Sequence, residues 1–445
     1  MNNNDTIASI ATAPGRSGIG VVRVSGKNLA AFAASIAGRE LTPRSATLCT
    51  FRDANGAPID QGIALFFAAP ASFTGEDVLE LQGHGGNVVL HLLLKRCLEL
   101  GGRLAGPGEF TRRAFLNDRI DLAQAESVAD IIDAASAEAA MGAARSLTGE
   151  FSARVNALVE ALVELRAHVE ACIDFPEEEI DPADRVHQRG RLLSIQGELD
   201  TLLAQARQGA LLRDGLTVAL IGRPNVGKSS LLNRLAGEDV AIVTPIPGTT
   251  RDQVRATILV EGVPIHLIDT AGLRETDDPV EQIGIARTWQ AIAKAGAVLL
   301  ISESGQAIGR NEAQLLQRLP ENLPTAWVYN KIDLYGHRAG AKEEGDQVTL
   351  SVSALLGDGV DLLKAWLLKV AGWAPEGERV FTARERHLAA LRVALAHLEV
   401  AAKTEPFELM AEELRQAQVA LGTVTGNFSA DDLLGEIFGK FCIGK

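Results

Sequence analysis

A chain of 445 residues that is 47% hydrophobic and 22% charged has a globular composition, with room for roughly two to four domains. Its net charge of −14 excludes a surface coated in basic residues, so any RNA contact needs a local patch or a basic partner. The cysteines Cys49, Cys97, Cys172 and Cys442 are scattered without a CxxC pair, which disfavours a zinc site or a disulfide framework and suits a reducing cytosol.

The first residues, Met1-Asn2-Asn3-Asn4-Asp5, are polar and lack the apolar core of a signal peptide. No apolar stretch is long enough to span a bilayer. The expectation is a cytoplasmic chain without a membrane partner.

Residues 1–117 read as a small α+β domain. A strand over 6–11 leads to the turn Pro14-Gly15-Arg16-Ser17-Gly18-Ile19-Gly20 and the β-branched strand Val21-Val22-Arg23-Val24. The glycine spacing is G-x-x-G-x-G, so a GxGxxG dinucleotide fingerprint is not supported. A short helix over 27–36 follows, then strands over 63–67 and 78–81, separated by a Pro/Gly loop. Gly83-His84-Gly85-Gly86 reads as a turn before an amphipathic helix over 88–100. From composition alone Arg23 and Glu80 suit an ion pair.

Residues 118–211 read as helical. The stretch 122–147 is rich in Ala and Glu, with Val128, Ile131, Ile132 and Ala135 at helical spacing. A heptad seam follows, Phe151, Val155, Leu158, Leu162, Leu165, Val169 and Cys172, which makes Cys172 a small buried hydrophobe by default. That helix should stop near Phe175-Pro176. Glu177-Glu178-Glu179 is an acidic loop cluster, open between a metal site and the more common run of solvated carboxylates, and Leu192, Ile195, Leu199, Leu202 and Leu203 mark another long helix.

Residues 212–374 carry the chemistry. The apolar run 216–221 precedes Gly222-Arg223-Pro224-Asn225-Val226-Gly227-Lys228-Ser229, and a helix-like run from Ser230 follows it. This is GxxxxGK[ST] in its required strand-to-helix setting. Glycines let backbone N–H groups face phosphate oxygens, and the helix start adds partial positive charge. Lys228 can reach the β- and γ-phosphates, and the Ser229 hydroxyl can ligate Mg²⁺.

Motifs in the order of a GTPase follow. Thr244-Pro245-Ile246-Pro247-Gly248-Thr249-Thr250 offers Thr250 as the switch residue that reports the γ-phosphate through Mg²⁺. A strand over 265–268 ends in Asp269-Thr270-Ala271-Gly272, which suits an acidic group at Mg²⁺ and a Gly N–H at the γ-phosphate. A strand over 325–329 ends in Asn330-Lys331-Ile332-Asp333, an NKxD guanine reader. Asp333 can accept two hydrogen bonds from guanine N1–H and its amino group, which adenine does not offer. Ser353-Ala354-Leu355 after a final strand closes over the base. The fold expected here is a Ras-like P-loop α/β domain with ligand at the carboxyl ends of its strands. Leu273 occupies the place where Ras-like enzymes carry the water-orienting Gln, so another group must position water. Glu275 and Glu281 are the candidates by chemistry.

Residues 375–445 return to helix. Thr382-Ala383-Arg384-Glu385 reads as a capping box, a second helix runs from about Pro406 to Leu421, and Ser429 resembles the cap of a third. These helices are expected to pack on the earlier helical region, which makes the α/β domain an insertion in one discontinuous all-helical domain. The terminal Cys442-Ile443-Gly444-Lys445 is not a prenylation box.

Over nearly its full length the chain resembles the MnmE (TrmE) family of tRNA-modification GTPases. The resemblance rests on Asp5-Thr6-Ile7-Ala8, Ala13-Pro14-Gly15-Arg16, Gly18-Ile19-Gly20, Ser72-Phe73-Thr74-Gly75-Glu76-Asp77 and Leu81-Gln82-Gly83-His84-Gly85-Gly86. It rests equally on Gly108-Glu109-Phe110-Thr111, Ala114-Phe115-Leu116-Asn117, Ile173-Asp174-Phe175-Pro176, Gly248-Thr249-Thr250-Arg251-Asp252 and the CIGK tail. It implies a homodimer joined through N-terminal domains that bind a 5-formyltetrahydrofolate-type one-carbon donor through Arg23, Glu80, Arg119 and Lys445. Arg119 stands where the family usually shows Lys.

The resemblance further implies a heterotetramer with the FAD-dependent protein MnmG, which supplies the flavin and much of the tRNA surface. The product is an aminomethyl or carboxymethylaminomethyl group at C5 of the wobble uridine 34. The family is potassium-activated, which implies K⁺ on the side chain of Asn225 and on backbone oxygens of Thr244, Ile246 and Thr249. Pro245 and Pro247 replace residues often seen as Asp and Ala. The catalytic glutamate maps to Glu281, and the GTP contacts to residues 225–230, 244–250, 269–272, Asn330, Lys331, Asp333, Ser353 and Ala354. Cys442 is open between a nucleophile and a residue packed near the folate pocket.

Two other readings stand beside this one: a GTPase switch that governs assembly of a ribosomal or other complex without chemistry, and a folate-binding scaffold with a regulatory GTPase. An Era- or Der-type assembly factor would show a KH-like GXXG domain or a second GTPase repeat, and neither is visible in the sequence.

Overall fold

The computed structural model describes residues 5–174, 182–223, 225–236, 254–269, 295–304, 320, 323–345, 347–374, 380–426, 437–439, 441 and 444. The chain divides into two compact units, one of Met1–Ala129, Leu147–Gln188 and Ala396–Lys445, the other of Asp130–Ser146 and Arg189–Leu395.

In the first unit the strands β1 (Ile7–Ile10), β2 (Ser17–Gly26), β3 (Thr47–Arg52), β4 (Pro58–Phe67), β5 (Asp77–Gly85) and β6 (Arg103–Leu104) form one sheet, ordered β3-β4-β5-β2-β1-β6. Only β1 and β6 pair in parallel among these neighbours. Side chains alternate between faces. Val22, Val24, Leu79 and Leu81 enter a core completed by Ile36 of the helix Ala30–Ala37 and by Leu90 and Leu93 of the helix Asn87–Glu99. Arg23, Ser25 and Glu80 therefore turn to the opposite face.

Gly83 and Gly85 are strand residues, not the turn that their spacing suggests. The cause is the close approach of β2 and β5. A Cβ on Gly85 would stand 1.9 Å from Ser17 Oγ, and one on Gly20 would stand 2.9 Å from Gly85 Cα. The same approach makes Ser17–Gly20 the bulged start of β2 rather than a turn.

The helix Glu150–Asp174 buries Phe151, Val155, Leu158, Leu162, Leu165 and Val169, the seam that the heptad spacing predicts. It packs along the helix Phe407–Thr425, where Arg166 Nη1 donates to Gln418 Oε1 at 2.6 Å. Cys172 differs from the expectation: it is half-buried, and its sulfur accepts from Gln188 Nε2 at 3.5 Å. Ile437, Phe438 and Phe441 pack on Leu122 and Ala125.

In the second unit β7 (Leu216–Ile221), β8 (Val254–Val260), β9 (Val263–Asp269), β10 (Ala297–Glu303), β11 (Thr325–Asn330), β12 (Gly340–Glu344) and β13 (Gln347–Ser351) form a sheet ordered β12-β13-β11-β10-β7-β9-β8. The pairs β8–β9 and β12–β13 are antiparallel and the others parallel. Central strands are nearly continuous apolar runs because both faces are covered. Val218, Leu220 and Leu299 meet Leu231, Leu363 and Trp366 on one side, while Ala219, Ile221 and Val298 form a core on the other. The first strand, β7, lies between β9 and β10, so the strand order reverses at its carboxyl end. Ligands of open α/β sheets bind at such a point.

The Ala-rich stretch over 122–147 forms two helices, Leu122–Asp133 and Ala137–Leu147. Ser136 caps the second, its Oγ accepting the Ala139 N–H at 3.1 Å. The long helix Pro182–Asp214 buries Leu192, Ile195, Leu199, Leu202 and Leu203 as the spacing predicts. Residues 380–382 cross it at Gly209, where an added Cβ would stand 1.8 Å from Phe381 O.

Thr382 is not the cap of the next helix. It is buried, and its hydroxyl donates to Ser146 Oγ at 3.3 Å. The helix Glu385–Ala401 is capped by His387, whose Nδ1 accepts the Arg384 N–H at 3.1 Å, two residues beyond the expected box. Among the described residues, no helix is long and apolar enough to cross a membrane.

Candidate functional site

The loop after β7 meets the helix Lys228–Ala236. The N–H groups of a helix's first turn have no acceptor within the helix and face outward. Lys228 is buried, and its Nζ donates to Gly222 O and, at 3.0 Å, to Arg223 O. The loop is wound tightly enough to require its glycine: Gly227 has φ of +94°, and a Cβ there would stand 2.2 Å from Asn330 Nδ2. Asn225 takes a left-handed conformation, φ 67°, which Asn tolerates better than most residues. Asn225, Ser229 and Ser230 are exposed, so the hard oxygens of the first two are free to meet a ligand, and Val226 is buried beneath them.

The base-reading motifs assemble beside this loop. Asn330, 1% exposed at the end of β11, donates through Nδ2 to Val226 O at 2.9 Å and accepts the Ala354 N–H on Oδ1 at 3.0 Å. Ser353 Oγ donates to Asp333 Oδ1 at 2.6 Å and accepts the Leu356 N–H at 3.1 Å. Lys331 has φ of 64° and places its Nζ 3.5 Å from Glu303 Oε1. Asn225–Ser230, Asn330, Lys331, Asp333, Ser353 and Ala354 thus share one end of the sheet. Asp269 is the last residue of β9, paired in register with Leu220.

Sequence reasoning missed Glu303, which also accepts from Tyr335 OH at 3.1 Å, and Arg234, which reaches Ala354 O. Neither belongs to a motif. The remaining candidates lie outside the described residues: Thr244, Pro245, Ile246, Pro247, Gly248, Thr249, Thr250, Thr270, Ala271, Gly272, Leu273, Glu275 and Glu281, together with Cys442 and Lys445.

A second polar assembly occupies the other face of the first unit's sheet. Arg23 opposes Glu80 in register, with Nε 3.0 Å and Nη2 2.8 Å from Glu80 Oε1, so the ion-pair expectation and the expected ligand pair fall on the same contact. The Arg23 guanidinium also stands 5.9 Å from the centre of the Phe110 ring. Ser9 opposes Arg23 on the other side, and an added Cβ on Gly444 would stand 3.2 Å from Ser9 Oγ and 2.5 Å from Ile10 O. Gly444 of the C-terminal tail therefore lies beside the Ser9–Arg23–Glu80 row. Arg119 is exposed and lies beside the Gly75 turn, its Cγ 3.2 Å from where a Cβ on Gly75 would stand.

Further along the same face is an ionic hub that the sequence did not reveal. Buried Arg113 binds Glu76 at 3.0 Å, Asp5 at 2.7 Å and Glu109 at 3.1 Å, and Arg103 binds Asp5 and Glu109 at 2.6 Å each. Ser25 Oγ donates to Glu76 Oε2 at 2.8 Å, which joins the hub to β2. Burial pulls the Glu109 carboxyl upward, but bonds from Arg103, the Gly106 N–H and Arg113 outweigh it and hold the group at about 2. Asp5 is lowered chiefly by its hydrogen bond from Arg103, against the upward pull of burial. Burial pushes the thiols of Cys49 and Cys97 up, the latter to about 12, so neither is a nucleophile near neutral pH.

Two family models match the chain. "MnmE helical domain" matches residues 122–442, and "GTP-binding protein TrmE N-terminus" matches residues 6–119. The tRNA modification GTPase MnmE of Thiobacillus denitrificans is 61% identical over 99% of this chain and 98% of its own. The protein of that name from Azoarcus sp. is 60% identical over the same shares, and that from Neisseria meningitidis serogroup C is 56% identical over 100% of both. With matched models spanning both the sheet that holds Arg23 and the segments that hold the phosphate loop, this chain belongs to the MnmE (TrmE) family.

Proposed function

We infer that this chain is a GTP hydrolase that acts in tRNA modification, and that it works as a potassium-activated enzyme with an MnmG-type FAD protein. The observation that carries the nucleotide reading is the pair of hydrogen bonds made by the Asn330 side chain, which joins the phosphate loop at Val226 to the base loop at Ala354. A nucleotide that fills one end meets the other already placed.

Each residue then has a task. Lys228 exchanges its loop carbonyls for the β- and γ-phosphates, and Asp333, oriented by Ser353, accepts the two donors of guanine. Ser229 and Thr250 would hold Mg²⁺, which would offset the negative charge of the phosphates. Asn225 with backbone oxygens of Thr244, Ile246 and Thr249 holds K⁺, which would neutralise charge developing between the phosphates, the part an arginine finger plays elsewhere. The exposed side-chain oxygens of Asn225 and Ser229 suit both hard cations. Glu281, acting through a second water, orients the attacking water that Leu273 cannot hold.

The output is a change in how two chains and their partner are arranged. The domain of residues 212–374 is an insertion between helical segments 118–211 and 375–445, and the N-terminal domain, 1–117, joins two chains in a homodimer. Arg23, Glu80, Arg119 and Lys445 hold a 5-formyltetrahydrofolate-type donor, and the Ser9–Arg23–Glu80 row beside Gly444 supports that assignment. FAD enters only through the partner. The reaction adds an aminomethyl or carboxymethylaminomethyl group at C5 of wobble uridine 34, in the cytoplasm.

The test compares GTP turnover in KCl and NaCl for the wild type and Asn225→Ala. Turnover should be faster in KCl for the wild type and insensitive to the cation in the variant. Equal wild-type rates in the two salts would remove Asn225 from its role.

A further inference from the structure

We propose that Arg234 is a positioning residue for guanine recognition, tying the base-reading loop to the helix that binds phosphate. Arg234 lies in the last turn of the helix Lys228–Ala236, and its guanidinium leaves that helix to reach the loop after β13. Nε donates to Ala354 O at 3.1 Å and Nη2 donates to Leu355 O. The fork of a guanidinium suits two successive carbonyls, which a lysine meets only as a point charge.

The loop's internal bonds set its shape. Ser353 N–H donates to Asp358 O at 2.9 Å, and Gly357 N–H donates to Ser353 O at 2.8 Å. Its position relative to the phosphate helix is set by other bonds. Asn330 takes the Ala354 N–H, and Arg234 takes the Ala354 carbonyl. The residue just before, Ser353, orients Asp333. Through Arg234 the spacing between phosphate donors and guanine acceptor is carried by one rigid helix. A nucleoside triphosphate must bridge that spacing, so the effect falls on binding and base discrimination rather than on bond cleavage.

The inference rests on Asp333 as the guanine acceptor, and the experiment separates the two. GTP and ITP hydrolysis are measured on the full chain as wild type, Arg234→Leu and Arg234→Lys, with Asp333→Asn assayed on GTP and XTP. ITP lacks the 2-amino group that Asp333 reads. Arg234→Leu should raise KM for GTP about tenfold and leave kcat within about twofold, since a charge-assisted bond is lost from binding alone. The preference for GTP over ITP should shrink, and Arg234→Lys should recover part of it. An unchanged KM, a fall in kcat alone, or an equal rise in KM for GTP and ITP would overturn the role of Arg234. If Asp333→Asn does not turn preference towards XTP, the base-reading assignment fails. If it does turn while Arg234→Leu matches wild type, only the role of Arg234 fails.

Discussion

The side chain of Asn330 donates to the carbonyl of Val226 at 2.9 Å, so a residue of the guanine-reading motif holds the phosphate loop in shape. Its other end accepts from Ala354, and at 1% exposure it has no water to fall back on. A motif that sequence reasoning assigns to the base is, in this position, a strut between the two halves of the nucleotide site.

Asn330→Ala would leave the Val226 carbonyl and the Ala354 N–H unpaired, each at a cost of about 1–3 kcal/mol. Fluorescent GDP titration should show affinity weakened at least about tenfold. Asn330→Asp should do no better, because it sets an acceptor against the Val226 carbonyl. Unaltered affinity in both variants would contradict the strut.

Gly209 and Gly197 lie in one helix and should respond oppositely to alanine. A Cβ at Gly209 meets Phe381 O at 1.8 Å, whereas nothing lies within 4 Å of one at Gly197. Gly197→Ala should stabilise by up to about 1 kcal/mol through helix propensity. Gly209→Ala should destabilise by about 1–3 kcal/mol or more, since residues 380–382 must move. Thermal unfolding of the two variants, measured side by side, checks the sign.

The acid limb of stability should report the Arg103–Glu109–Arg113 hub. Glu109 is held at about 2 in the fold against an ordinary 4.5, so it binds its proton more readily when unfolded. Its contribution is complete above 4.5 and is lost as pH falls towards about 2. Asp5, also lowered, acts in the same direction. Amide exchange of β1 and β2 should accelerate as pH is lowered from about 5 to about 3, after correction for intrinsic rates. Glu109→Gln should be less protected at neutral pH and show a flatter dependence. A parallel response in wild type and variant would assign the acid sensitivity elsewhere.

Arg23→Ala removes the guanidinium that bridges Glu80 and the Phe110 ring while leaving the opposite, core face of β2 intact. Calorimetric titration with 5-formyltetrahydrofolate should show binding weakened by about a hundredfold, as expected when a charged partner is removed from a hydrogen-bonded site. Affinity equal to wild type would refute the folate assignment, and unchanged far-UV circular dichroism would show that the fold survives.

The parts of the site legible in the sequence are those written locally. GxxxxGK[ST] and NKxD occupy a few consecutive residues, and their meaning depends on a strand before and a helix or loop after. Contacts between distant residues were not legible. Arg234 reads as a polar residue on a helix surface, and its acceptor lies 120 residues away. Thr382 fits the capping pattern, but its hydroxyl found Ser146, 236 residues distant. The turn expected at Gly83 and Gly85 failed in a similar way, because a close pairing with β2 demands glycine as firmly as a turn does. Asp5, Glu76, Arg113 and Glu109 each look solvated in isolation, and only the fold brings them into one partly buried hub.

GTP bound at the phosphate loop is expected to drive modification of the wobble uridine. Nucleoside mass spectrometry of bulk tRNA tests it in a strain lacking its own copy of this protein, complemented with the wild-type chain or with Lys228→Ala at equal expression. The wild type should restore the C5-substituted uridine and Lys228→Ala should not. Absence of the modified nucleoside with the wild-type chain, or equal restoration by Lys228→Ala, would contradict the account.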